Sequence, residues 1–142
     1  MRTLSSETIH ASCIAIDGRA VLIEGRSGSG KSDLALRLID RGASLVGDDQ
    51  VIIRRDGAHI LATAPETIAG KLEVRGVGIV TLPAQNDVSV RLIVSLVEAE
   101  IERMPIGTTR LLLGVEMPLV SLRPFEASAA AKVAAALNHL AH

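Results

Sequence analysis

Two short apolar-rich runs, residues 9–16 and 19–24, are separated only by Asp17-Gly18, a connection that favours a tight antiparallel hairpin. A second pair, 50–54 and 58–61, is joined the same way by Asp56-Gly57. Between the pairs the period changes from two to 3.6. Over residues 33–42, Leu34, Ala35, Leu38 and Ile39 form one apolar stripe, Asp33 and Arg37 make an i,i+4 pair, and Gly42 is placed to cap the end. Further strands are expected at 78–82, 88–97 and 110–115, with a shorter one at 119–122 bounded by Pro118 and Pro124. Residues 98–109 lose periodicity around Met104-Pro105 and Gly107 and read as a surface loop. The alanine-rich segment 126–139 closes the chain as a helix, with Val133, Leu137 and Leu140 on its buried face. Doubly wound folds alternate strand and helix, so two hairpins around one early helix predict an α/β domain with a mixed sheet. At 142 residues and 48% hydrophobic, the chain has the size and apolar content of a single domain over residues 1–142.

The run Ala20-Val21-Leu22-Ile23-Glu24 leads into Gly25, Arg26, Ser27, Gly28, Ser29, Gly30, Lys31 and Ser32, a complete phosphate-loop motif between a strand and a helix. Glycines let successive backbone N–H groups converge on phosphate oxygens, and the helix that follows presents its positive end to the same anion. Lys31 is placed to reach the β- and γ-phosphates, and the Ser32 hydroxyl to ligate Mg²⁺. A nucleotide is the expected ligand.

Composition narrows the partner. Fifteen basic against 16 acidic residues leave a net charge of −1, which gives no electrostatic case for nucleic acid or a membrane surface. Phe125 is the single aromatic residue, so stacking platforms for single-stranded nucleic acid are lacking. Cys13 is the lone cysteine; it excludes an internal disulfide and a cysteine-rich zinc site, and its place in an apolar strand reads as a buried small hydrophobe. No run approaches ~18 apolar residues and the start lacks signal-peptide character, so a cytoplasmic protein is expected.

Downstream of the first helix, Ser44-Leu45-Val46-Gly47-Asp48-Asp49 is an apolar strand that delivers two carboxylates at its end. A carboxylate near a γ-phosphate can hold Mg²⁺ or accept the proton of an attacking hydroxyl, which makes Asp48 and Asp49 candidates for both tasks. An Asp-Asp turn solvated at a strand end is the bland alternative. Glu73-Val74-Arg75 fits a half-buried strand, and Gly76 and Gly78 suggest close backbone approach.

These blocks together resemble the catalytic domain of HPr kinase/phosphorylase, which phosphorylates a serine of HPr, the small phosphocarrier of the phosphotransferase system. GRSGSGKS is similar to the family's phosphate loop, LVGDDQVII to its Asp-Asp strand, and KLEVRGVGIV to its Leu-Glu-x-Arg-Gly-x-Gly signature. The resemblance implies a fold shared with phosphoenolpyruvate carboxykinases, ATP and Mg²⁺ as cofactors, and an HPr-like protein as substrate. It implies that Asp48 exchanges a proton with the acceptor serine, that His10 orients Asp48, and that Arg103 steadies the transferring phosphoryl group. Ser32 and Glu73, with Asp49 as a further candidate, would hold Mg²⁺. The family also phosphorolyses phosphoserine and forms hexamers, so a homo-oligomer is expected.

The chain starts a few residues before His10, so the resemblance is to a short form without the family's N-terminal domain, and a final helix that helps bind HPr is not matched. Ala11 stands where the family usually has glycine. Such short forms resemble those linked to nitrogen-branch phosphotransfer systems. A nucleotide-sensing regulatory module with weak or no kinase activity is the alternative, and a small-metabolite kinase a third reading.

Overall fold

The computed structural model describes residues 5–141. The first hairpin joins β2 (Ser12–Ile16) to β3 (Arg19–Glu24) through Asp17 and Gly18, both at positive φ. The phosphate loop and helix α1 (Lys31–Asp40) follow, then β4 (Ser44–Gly47). The helix ends as its capping glycine predicts: the Gly42 N–H donates to the Ile39 carbonyl and the Ala43 N–H to that of Leu38, both at 3.0 Å. Asp33 and Arg37 pair at 3.0 Å on its outer face. The second hairpin joins β5 (Val51–Asp56) to β6 (His59–Thr63).

The expected run 9–16 divides. Residues Ser6–Ile9 form a separate strand, β1, that pairs antiparallel with β5, whereas β2 pairs with β3 and β4. The break at His10-Ala11 lets one stretch of chain serve two places in the sheet. The region 110–115 also divides: β10 (Thr108–Leu112) turns at Leu113 and Gly114, both at positive φ, into β11 (Val115–Leu122), a third hairpin. Pro118 therefore lies within β11 instead of bounding a strand. Strands β7 (Lys71–Val74) and β8 (Gly78–Thr81) make a separate small sheet. Gly76 and Gly78 adopt positive φ at its turn, and a Cβ on either would meet nothing within 4 Å, so close backbone approach is not their role.

The large sheet is mixed, as expected; with β9 running Val88–Leu96, its order is β1-β5-β6-β9-β3-β2-β4. Its axis is β9, which lies parallel to β3 on one side. On the other side its start pairs antiparallel with β6 and its end pairs parallel with β11. One nine-residue strand thus receives two neighbours in series.

Both faces of the sheet are buried. Ile14, Val21, Ile23, Leu92 and Val94 pack with α1 and the closing helix α2 (Ala129–Leu140), whose Val133 and Leu137 are buried as expected. Cys13, Leu22, Val46, Ile53, Ile60, Val90 and Ile93 form the opposite core. That second core contains no helix residue; the sheet curls so that β4 and β6 touch although three strands separate them. In β9 the alternation changes parity: Val88 and Val90 face one core, Leu92 and Val94 the other. The register against β3 shifts at the same point, Ala20 opposing Val90 and Val21 opposing Leu92, so a bulge at Arg91 accounts for the flip.

Candidate nucleotide site

Among the described residues, Ser12, Lys31 and Asp48 are the polar or charged side chains found buried. Burying such groups costs free energy unless each is hydrogen-bonded, so their convergence marks where structure is subordinate to chemistry. Lys31 begins α1 and its ammonium donates to the Gly25 and Arg26 carbonyls at 2.8 and 3.0 Å. The lysine is therefore folded onto the loop that it would share with phosphate.

Two glycines shape that loop. A Cβ on Gly25 would stand 2.5 Å from the Ser29 hydroxyl oxygen. Gly30 is the N-cap of α1 with φ 100°, and a Cβ there would approach the Phe125 ring to 2.9 Å. Among the described residues, no side chain caps the N-terminus of α1. Its first-turn N–H groups remain available to an anion, which the helix dipole also favours.

Asp48 follows β4 directly and turns into the core side of the site. One carboxylate oxygen accepts hydrogen bonds from Ser12 at 2.6 Å and from Ser32 at 2.8 Å; the other lies 3.1 Å from the Ser32 hydroxyl and 3.5 Å from the Glu73 backbone N–H. The carboxylate and the phosphate-loop hydroxyl, 16 residues apart in sequence, are in direct contact. The Asp49 carboxylate, from a residue at φ 71°, instead meets the His10 imidazole at 2.8 Å. His10 was expected to orient Asp48; the structure pairs it with Asp49 instead, in an exposed contact.

A cavity of about 560 Å³ gathers His10, Ser12, Lys31, Ser32, Asp48, Asp49 and Glu73, and Lys71 and Arg75 line it too. Glu73 lies on β7 with its side chain exposed, while Leu72 beside it anchors the small sheet. Arg103 stands apart: it is exposed in the loop before β10 and lines neither this cavity nor a second one walled by Arg26–Ser29, Leu96–Ala99 and Arg123–Glu126. Sequence reasoning missed Ser12 and Phe125. A serine in an apolar strand carries no signal of its own, and Phe125, 72% exposed beside the loop, reads in sequence only as the one aromatic.

Mg²⁺ is ordinarily bound by one or two carboxylates together with substrate phosphates and water, not by an all-protein cage. Ser32 beside Asp48, with Glu73 and Asp49 on the same cavity, fits that demand. Among the described residues, no three His, Cys, Asp or Glu side chains converge to form a complete cage.

Fold and site together define a phosphate-loop α/β domain with a mixed sheet and a buried carboxylate at the loop. Residues 2–134 match the HPr Serine kinase C-terminal domain, and the chain belongs to that family. It is 40% identical over 130 residues to the HPr kinase/phosphorylase of Chlorobium phaeobacteroides, covering 82% of this chain and 40% of that relative. To the HPr kinase/phosphorylase of Chloroherpeton thalassium it is 38% identical over 126 residues, covering 80% and 37%. The solved Hpr(Ser) kinase/phosphatase of Coxiella burnetii superposes with a TM-score of 0.82 at 28% identity, over 93% of this chain and 94% of that one. The chain thus spans about two-fifths of the length of the curated relatives it matches, and its fold is that of the HPr kinase catalytic domain.

Proposed function

We propose that this chain is an ATP- and Mg²⁺-dependent protein-serine kinase domain acting on an HPr-like phosphocarrier in the cytoplasm. The observation that carries the reading is the 2.8 Å contact between Ser32 of the phosphate loop and the buried carboxylate of Asp48. It supports reading Asp48 as a proton acceptor beside the place where a γ-phosphate would lie.

In this reading Lys31 leaves the Gly25 and Arg26 carbonyls to bind the β- and γ-phosphates. The acceptor serine enters the cavity lined by Asp48, Glu73 and Lys71, and Asp48 takes its proton as the hydroxyl oxygen attacks the γ-phosphorus. A serine–phosphorus bond forms, and the bond from that phosphorus to the bridging oxygen of ADP breaks. Mg²⁺, when bound, neutralises charge developing on the phosphoryl oxygens. In reverse, with inorganic phosphate attacking phosphoserine, protonated Asp48 returns the proton to the leaving serine oxygen and pyrophosphate is released.

Labelled ATP, Mg²⁺ and the HPr homologue of the same genome test the proposal. Label is expected on one carrier serine and is expected to vanish with Lys31→Ala. No label with the wild-type chain overturns it. The exposed position of Arg103, away from both cavities, favours the alternative of a nucleotide-sensing module, which would bind ATP tightly and transfer nothing.

The homo-oligomer belongs to the same reading. It is supported by Met104 and Ile106, 81% and 89% exposed in the loop before β10. The described residues contain no helix long and apolar enough to cross a membrane.

A further inference from the structure

We propose that the cavity behind the phosphate loop is the nucleoside half of the nucleotide site, and that the Phe125 ring is the face on which the base stacks. The inference rests on the nucleotide reading above and assigns the part of the ligand that lies beyond its phosphates.

Two cavities flank the loop. The one already described contains Asp48, Asp49, His10 and Glu73; the other, of about 690 Å³, contains none of them. Ser27, Gly28 and Phe125 line both, so the two spaces meet across the loop. A triphosphate whose γ end lies at Asp48 and whose phosphates follow the loop carries its nucleoside into the second space.

The topology agrees. The second cavity is walled by Leu96–Ala99 and Arg123–Glu126, the segments that leave the carboxyl ends of the parallel strands β9 and β11. Those ends are fastened together by the Val97 N–H donating to the Leu122 carbonyl at 3.0 Å. Ligands of α/β folds bind outside the carboxyl ends of parallel strands, and a cavity of this volume is of the size that small-molecule sites have.

Phe125 is the chain's only aromatic and is 72% exposed, yet its segment is held. The Arg37 guanidinium donates to the carbonyls on both sides of it, those of Pro124 and Glu126. The ring also lies so close to Gly30 that no Cβ fits between them. A large apolar ring fixed in water beside a phosphate loop is a preformed stacking surface, because its ordering cost has been met before the ligand arrives. Arg26 and Arg123 line the same walls, opposite in charge to Glu98 and Glu126 there. The Arg26–Glu98 pair across them is long, at 3.4 Å, and exposed, so it opens at little cost.

Titration calorimetry on the full chain in Mg²⁺, with ATP and with inorganic tripolyphosphate, tests the assignment. Phe125→Ala is expected to weaken ATP roughly tenfold, the scale of one base–aromatic stack, and to leave tripolyphosphate affinity unchanged. Phe125→Trp keeps ATP affinity and, in a chain without tryptophan, supplies a single fluorophore that ATP quenches and tripolyphosphate does not. ATP affinity unchanged in Phe125→Ala, or lost equally with tripolyphosphate, overturns the inference. A wild-type chain that binds neither ligand overturns the phosphate-loop reading, and this inference with it.

Discussion

The hydroxyl of Ser12 lies 2.6 Å from the carboxylate of Asp48, and Ser12 has no exposure to solvent. A strand that otherwise contributes Cys13, Ile14 and Ala15 to two hydrophobic cores thus sends one polar group into the site. Its effect is to fix the rotamer of the proposed proton acceptor before any substrate arrives. Hydrogen bonds to charged groups contribute about 1.5–3 kcal/mol, so Ser12→Ala is expected to lower phosphotransfer roughly 10- to 100-fold with ATP affinity unchanged. Ser12→Thr, which keeps the hydroxyl, should recover part of the loss. Steady-state kinetics beside nucleotide titration separate the two effects; a parallel fall in ATP affinity would make Ser12 a structural residue of the loop.

Gly30 and Phe125 are expected to be energetically coupled. Gly30→Ala must hold alanine at φ 100° and move the Phe125 ring from 2.9 Å. Strain of that kind costs about 1–3 kcal/mol per residue. Phe125→Ala removes the ring contact and leaves the backbone strain and a 3.2 Å approach to Pro124, so the double variant should be less destabilised than the sum of the two. Urea unfolding of the four chains closes the cycle; strict additivity would mean that the loop gives way without the ring.

Cys13 is fully buried, and burial pushes its thiol well above the ordinary value. Thiolate is the reactive form, so the native chain should resist alkylation at neutral pH and react stoichiometrically once unfolded. The sign for stability follows from the upward shift. Below pH 9.0, the ordinary thiol value, both states keep the proton and the contribution is intact. Above it the unfolded thiol ionises first, and stability declines as pH rises. A Cys13→Ala variant should lose that alkaline decline, which pH-dependent urea midpoints would show.

The His10–Asp49 pair is exposed on both sides, at 59% and 71%. Pairs of that kind contribute about 0–1 kcal/mol. His10→Gln should therefore leave the urea midpoint nearly unchanged. Any large loss of transfer in that variant would then come from the site and not from the fold.

The phosphate loop was legible because its chemistry is local: eight consecutive residues, a strand before and a helix after. The mixed sheet was legible from two Asp-Gly turns, and the α1 terminus from Gly42. Asp48 could be named from its strand end, but its neighbour Ser12 lies 36 positions away and only tertiary pairing brings them together. The same limit applies to Phe125, which meets Gly30 through an Arg37 anchor that no spacing encodes. The pairing of His10 with Asp49 and not Asp48 is likewise tertiary, since the two aspartates are adjacent and their spacing does not say which one the imidazole meets. The β10–β11 turn was hidden because Leu113-Gly114 sits inside an apolar stretch, and tertiary pairing let leucine adopt φ 47°. The parity change in β9 depends on a bulge at Arg91 that the pattern of valines and leucines does not announce.

Asp48→Asn tests the central claim most directly, because asparagine keeps the shape and an acceptor oxygen for Ser12 and Ser32 but cannot take up a proton at working pH. Nucleotide affinity by titration calorimetry and phosphotransfer to the HPr homologue are measured on the same preparation. The expected result is ATP affinity near that of the wild type with transfer reduced about 10²- to 10⁴-fold, the range of general base catalysis. Transfer at the wild-type rate, or a loss of ATP affinity as large as the loss of transfer, would contradict the assignment of Asp48 as proton acceptor.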